Sequence, residues 1–333
     1  MGRALLILLI SWVYTGCATV QHRPPTRPGS PPAGPLRLLE SGPWLDARVT
    51  LDAPGPGSAD RIEFVPAGRD PARQIASGEV DLAVLYGRPA GELLDGAPPS
   101  VRLERLAAWD RVWALWLDAS ARRVNDPRFR RWLAGVIDRE AMLRFLFDGR
   151  GAPAFGLAAD DPFARAEWTR TGRAPFSPSS APRLSLLLAG DDPQAASIGA
   201  RIKAVLEQEG LEIRLAPTLR ARFGDELASR RHALALVAHL PHSDDPLSAL
   251  RRTLAPLGPA AGSEREQLSG AAHLSGREAR EAAARTIEQR LLRDVRLVPL
   301  VRLDAWLALG LDVEGVEAGP YGVLRLVRAR PVR

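Results

Sequence analysis

The 333-residue chain is 46% hydrophobic and 25% charged, the composition of a globular protein of about two domains, long enough to bury a core without disulfides. Cys17 is its only cysteine, so an internal disulfide is excluded. The net charge of +6 does not mark a nucleic-acid binder: Lys203 is the only lysine, and the arginines are interspersed with acids, as in Arg277, Glu278, Arg280 and Glu281.

At the N-terminus, Arg3 precedes the apolar run Ala4–Val13. That run has signal-peptide length and falls short of the roughly 20 residues of a membrane span. Thr15 and Gly16 then precede Cys17, which resembles the bacterial lipobox, with Tyr14 where that pattern prefers an aliphatic residue. The resemblance implies that residues 1–16 are a lipoprotein signal peptide and that Cys17 is lipidated. The protein is then exported and anchored to a membrane, facing the periplasm or the cell exterior. Gln21–Pro35 reads QHRPPTRPGSPPAGP. Proline removes backbone donors and fixes φ, so residues 17–35 are expected to form an extended tether.

From Leu36 the pattern becomes globular. Arg48–Leu51 and Arg61–Val65 read as strands, Asp70-Pro71 opens a short helix ended by Gly78, and Asp81–Leu85 follows as a strand. Val101–Leu106 and Val112–Leu117 are further strands. Asp126-Pro127 opens a helix whose Phe129, Trp132, Leu133, Val136 and Ile137 share an apolar face, and Asp138 caps Arg139–Phe147. Leu184–Leu188, a helix from Asp192-Pro193 to Gly210, and Leu211–Leu215 form a βαβ unit, which requires parallel strands. A helix near Leu219–Arg230, the strand Ala233–Ala238, a helix around Arg277–Leu292 and the strand Arg296–Val301 complete the reading. No glycine-rich phosphate loop follows any strand.

Several segments, in this order, resemble the extracytoplasmic solute-binding proteins of ABC importers, family 5, the oligopeptide, dipeptide and nickel type. They are Ile75–Ala83 (IASGEVDLA), Asn125–Glu140 (NDPRFRRWLAGVIDRE), Gly149–Gly156 (GRGAPAFG), Ser185–Gly210 and Asp244–Leu250 (DDPLSAL). The resemblance implies an α/β, two-lobed, periplasmic-binding-protein-like (type II) fold. Lobe one is expected to be reduced, because the N-terminal part usual in that family has no counterpart here. Residues 36–118 would begin lobe one, 119–298 would form lobe two, and 299–333 would return to lobe one. The crossings would lie near Asp118–Val124 and Pro299–Leu303, and the lobes would close on a solute by hinge motion.

The implied function is delivery of a peptide-like or other small solute, metal chelates included, to an ABC permease and its ATPase. Such a carrier works as a monomer, without cofactor or catalysis. The alternative is a degenerate relative that acts as a lipid-anchored interaction or sensor protein without transport. The ligand contacts implied are Tyr86, His239, His242, Ser243 and Asp244. By the family's spacing, His239 and His242 stand where peptide-binding relatives place a Trp and the Asp that holds the peptide ammonium. An imidazole cannot replace a carboxylate as a cation anchor, though Asp244 is close in sequence. His239 and His242 are also weak metal-ligand candidates, with Pro241 breaking any helical register between them. A hydrolase reading finds no serine in a nucleophile elbow, and His232 and His273 lie in no motif.

Overall fold

The computed structural model describes residues 21–22, 36–40, 48–51, 62–66, 70–106, 109–122, 124–157, 164–166, 168, 183–240, 245–255, 263–310, 313–318 and 323–331. Residues 1–16, expected as a signal peptide, Cys17 and most of the expected tether, together with His242, Ser243 and Asp244, lie outside the described residues. The chain divides into two compact units, residues 1–109 with 304–333, and residues 110–303.

The first unit begins with β1 (Gln21–His22), β2 (Leu36–Glu40), β3 (Arg48–Leu51) and β4 (Ile62–Pro66). It continues through α1 (Pro71–Ala76), β5 (Leu82–Tyr86), α2 (Arg88–Gly96) and β6 (Val101–Arg105). The second unit runs from β7 (Arg111–Leu117) through α3 (Pro127–Val136), α4 (Arg139–Phe147) and β8 (Ala152–Pro153). Next come β9 (Arg183–Ala189), α5 (Pro193–Gln208), β10 (Glu212–Thr218), α6 (Arg220–Ala228) and β11 (Leu234–His239). The unit closes with α7 (Pro246–Leu254), α8 (Ser263–Ala271), α9 (Arg277–Arg293) and β12 (Leu297–Leu303). The chain then returns to the first unit as β13 (Ala305–Gly310), β14 (Val313–Ala318) and β15 (Val323–Pro331).

The first unit holds a five-stranded sheet, β4-β2-β5-β13-β6, and a four-stranded sheet, β1-β3-β15-β14. β13 comes from the far end of the chain yet lies antiparallel between β5 and β6. Ile75, Val80, Ala83, Leu85, Leu93 and Ala308 form a core in this unit.

The second unit is built on a six-stranded sheet, β10-β9-β11-β7-β12-β8. β9 and β10 run parallel over their full lengths across α5, which is the βαβ unit read from the sequence. All seven residues of β7 are buried. Side chains alternate across a strand, so Val112, Ala114 and Trp116 join Phe223, Leu250 and Ile287 in one core. Trp113, Leu115 and Leu117 are buried on the opposite face. Trp132 packs against Phe129 with ring centroids 5.7 Å apart, as its place on the apolar stripe requires.

The expected unit boundaries need correction. β7 was assigned to lobe one and β12 was split at residue 299, but the two strands are antiparallel neighbours inside the second unit's sheet. The unit limits therefore fall at 109/110 and 303/304 rather than at 118/119 and 298/299. Asp118 lies inside the second unit, where its amide donates to Ala233 O at 3.0 Å and its carboxylate caps the turn at Ser120.

Candidate functional site

Helix starts organise the second unit. A proline at the first helical position has φ preset and needs no backbone partner, and an aspartate before it accepts from the free amides of the first turn. Asp126 accepts from Arg128 N at 2.8 Å, Asp192 from Gln194 N at 2.8 Å, and Asp245 from Leu247 N at 3.2 Å.

β9, β10, β11 and β12 point the same way, and β7 runs against them. The carboxyl ends of these strands thus share one edge of the sheet with the start of β7. In open α/β sheets this is the edge at which loops and helix starts gather polar groups for a ligand. Arg111 opens β7 there, beside Leu303 at the end of β12, while His239 ends β11 opposite Val112.

Arg111 is buried, at 2% exposure. Its Nη1 donates to Gln194 Oε1 at 2.9 Å, and Trp113 Nε1 donates to the same oxygen at 3.3 Å. The Arg111 guanidinium also lies 6.0 Å from the Trp113 ring centroid. Asp192, buried at the cap of α5, takes Arg220 Nη2 at 3.4 Å from the first residue of α6. The edge therefore carries two arginines, an amide and an imidazole on rigid elements. Gln194 could not be singled out in the sequence because its partner Arg111 is far away in the chain, and an arginine opening an apolar strand is no signal by itself.

His239, expected as a ligand contact, is 5% exposed, and its Nδ1 lies 2.7 Å from Thr253 Oγ1 on α7. Asp245 is committed to structure. It caps α7, accepts from Ser248 Oγ at 2.5 Å and pairs with Arg280 on α9. The hydrogen bond from Arg280 holds its carboxyl down to about 2, burial opposing it. Tyr86, implied as a ligand contact, follows the strand read as Asp81–Leu85. It is instead the last residue of β5, paired with Ala305 and buried, because the chain turns only at Gly87, whose φ is +62. Among the described residues no group of three or more His, Cys, Asp or Glu side chains converges as a metal site.

His232, in no motif by sequence, lies with its Nδ1 2.8 Å from Ser185 Oγ and its Nε2 3.5 Å from Glu226 Oε2. Ser185 stands in mid-strand beside Arg214 of β10, away from the carboxyl edge, so this chain of side chains ties β9 to α6 rather than forming a catalytic site.

No protein-family model and no curated protein matches the sequence. Solved structures do match. The dipeptide binding protein from Pseudoalteromonas sp. SM9913 in complex with Met-Leu has a TM-score of 0.64 at 16% identity, covering 83% of this chain and 59% of that one. This is the α/β fold of the two-lobed periplasmic binding proteins. The ABC transporter-associated periplasmic binding protein DppA from Helicobacter pylori, in complex with peptide STSA, has a TM-score of 0.63 at 14% identity, covering 84% and 58%. NikA from Brucella suis in complex with Fe(III)-EDTA has 0.59 at 17% identity, covering 80% and 61%. The resemblance read from the motifs is thus present in the fold, and this chain spans about three fifths of the length of these proteins. No helix among the described residues is long and apolar enough to cross a membrane.

Proposed function

We propose that this protein is an extracytoplasmic solute carrier, held at the membrane by a lipid on Cys17, that delivers a peptide-like solute or a metal chelate to an ABC permease and its ATPase. The observation that carries this reading is the fold, shared at a TM-score of 0.64 with a dipeptide binding protein. The polar carboxyl edge of the second unit's sheet supports it, because such edges hold ligands without requiring chemistry. His239, His242, Ser243 and Asp244 are the solute contacts proposed in the second unit, and Tyr86 in the first. The protein acts as a monomer and releases its solute unchanged.

With histidine at 239 and 242 in place of the Trp and the anchoring Asp, the solute preferred is one without a free amino group. An imidazole, of reference pKa about 6.5, is neutral or partly protonated near pH 7 and gives an ammonium no counter-charge. Native mass spectrometry of the purified protein is expected to show a co-purified solute. Calorimetric titration with a mixed di- to pentapeptide pool should then give weak or no heat. Micromolar binding that disappears when the peptides are N-acetylated would show that an ammonium anchor survives. A protein that carries no solute would be read instead as a lipid-anchored interaction or sensor protein. The anchor has a separate test. Cys17→Ala is expected to remain unprocessed and to incorporate no labelled fatty acid, and normal labelling of that variant would remove the anchor from this reading.

A further inference from the structure

Gln21 and His22 fall within the segment expected as a free tether, yet they form β1, which runs parallel to β3 with Gln21 opposite Thr50 and His22 opposite Leu51. β1 is the outermost strand of the four-stranded sheet, and β2, the next strand in the chain, belongs to the five-stranded sheet of the same unit. The proline-rich residues 23–35 therefore join two sheets of one unit. A segment with both ends in one body cannot act as a spacer between that body and a membrane. What separates Cys17 from the sheet is the four residue steps to Gln21, which reach about 14 Å at most. A free tether from Cys17 to Leu36 in the polyproline conformation would reach about 59 Å.

We propose that the β1 edge of the first unit's four-stranded sheet lies against the membrane surface, with anionic lipid headgroups as the partner of that edge. This rests on the lipidation of Cys17 in the reading above: the lipid holds the Cys17 backbone at headgroup level, and β1 follows within the reach just given. The charge of the strands suits such a neighbour. β1 and β3 contain Arg48 and no acidic residue, and β15 beside them contains Arg325, Arg328 and Arg330. The acids of this sheet's strands, Glu314 and Glu317, are on β14 at the opposite edge. Basic residues are drawn to an anionic lipid surface within about a Debye length, roughly 8–10 Å.

The test measures energy transfer from the full lipidated chain to a headgroup dye in vesicles of phosphatidylethanolamine and phosphatidylglycerol. The lipid consumes the Cys17 thiol, so Ala53→Cys, two residues after β3, gives a single site for the donor dye. A Gly/Ser insert of about 20 residues, with a mean span of about 25 Å, is placed either between Val20 and Gln21 or between Ser30 and Pro31. The insert before β1 is expected to lower transfer severalfold, and the insert after β1 to leave it unchanged. The double variant Gln21→Pro, His22→Pro, which removes the amide donors of β1, is expected to lower transfer without any insert. Equal losses from the two inserts overturn the proposal, as does unchanged transfer in the proline variant. Mass spectrometry of the N-terminal peptide separates the two readings. A Cys17 without lipid removes the anchor and this proposal with it, whereas a lipidated protein with equal losses keeps the anchor and loses only the contact of the sheet edge.

Discussion

Two arginines of the segment Asn125–Glu140 are turned inward and dressed with backbone carbonyls. Arg130 Nε donates to Asp294 O at 2.9 Å, and its Nη1 donates to Val124 O at 2.9 Å and Asn125 O at 2.8 Å. Arg139 Nε donates to Pro299 O at 2.9 Å and Ala154 O at 3.2 Å, and Nη1 to Ala134 O at 3.1 Å. Its guanidinium also lies 5.0 Å from the Phe155 centroid and 5.1 Å from that of Trp168. Burial pushes the Arg139 pKa down to about 10, with Asp138 opposing the shift. The group nevertheless stays charged at neutral pH and stitches the start of α4 to β12, to α3 and to Ala154 just after β8. Arg139→Ala would strand the four backbone carbonyls it serves, Ile137 O at 3.4 Å being the fourth, and open a cavity, and is expected to cost about 3 kcal/mol, read as a lower urea midpoint at unchanged slope. An unchanged midpoint would show that the carbonyl cage is idle. The Asp245–Arg280 pair predicts a pH effect. Asp245 has a folded pKa of about 2, below its ordinary value, so its contribution is complete above about pH 4 and is lost as the pH falls toward 2. Arg280→Gln removes the main cause of the shift, so it should lower stability at neutral pH and flatten the acid side of the stability curve. Parallel curves for the two proteins between pH 2 and pH 5 would refute the coupling.

At the scale of elements, sequence signals worked where one short stretch carries the whole cause. Asp126-Pro127 and Asp192-Pro193 supply both cap and first helical residue, and the helices begin there. Arg139–Phe147, read from its Asp138 cap, has the expected bounds and ends at Asp148 in the left-handed region. α2 gave no such signal: Gly87 offers no side-chain cap, and Gly91 interrupts its pattern. β7 and β12 were legible as buried strands, but which sheet they join depends on pairing between distant parts of the chain, and an apolar run reads the same in either sheet. The Arg111–Gln194 contact escaped for the same reason. Gly151 shows a constraint that is invisible in the sequence. It sits at φ +103 before β8, and a Cβ there would lie 2.3 Å from Arg302 O on the adjoining β12. Gly210 is also left-handed, at φ +83, but has open space around it. Gly210→Ala should therefore cost roughly 1 kcal/mol of backbone strain, and Gly151→Ala distinctly more, since backbone must also move. Equal losses of thermal stability in the two variants would show that the close approach of β8 to β12 does not matter.

For the whole molecule, the division of the chain is unequal in kind. The second unit is one continuous stretch, residues 110–303, whereas the first is assembled from residues 1–109 and 304–333. β5 and β6 meet only through β13, and β3 gains its long partner only from β15. A fragment of residues 110–303 holds its six strands and their helices, so it should fold alone and melt cooperatively by circular dichroism. Residues 1–109 alone lack β13, the strand that joins β5 to β6, and should show no cooperative transition. The two chain ends of the first unit meet at its edge. Leu106 N donates to Ala305 O at 2.9 Å, and Arg105 Nη2 pairs with Asp304 Oδ1 at 2.9 Å. A short Gly/Ser linker from residue 109 to residue 304 should therefore restore a folded first unit with the second unit deleted, because closing so short a loop costs little chain entropy. Cooperative melting of residues 1–109 alone would contradict the role given to β13. A linked first unit that stays unfolded, beside a folded fragment of residues 110–303, would mean that the first unit needs the second to fold.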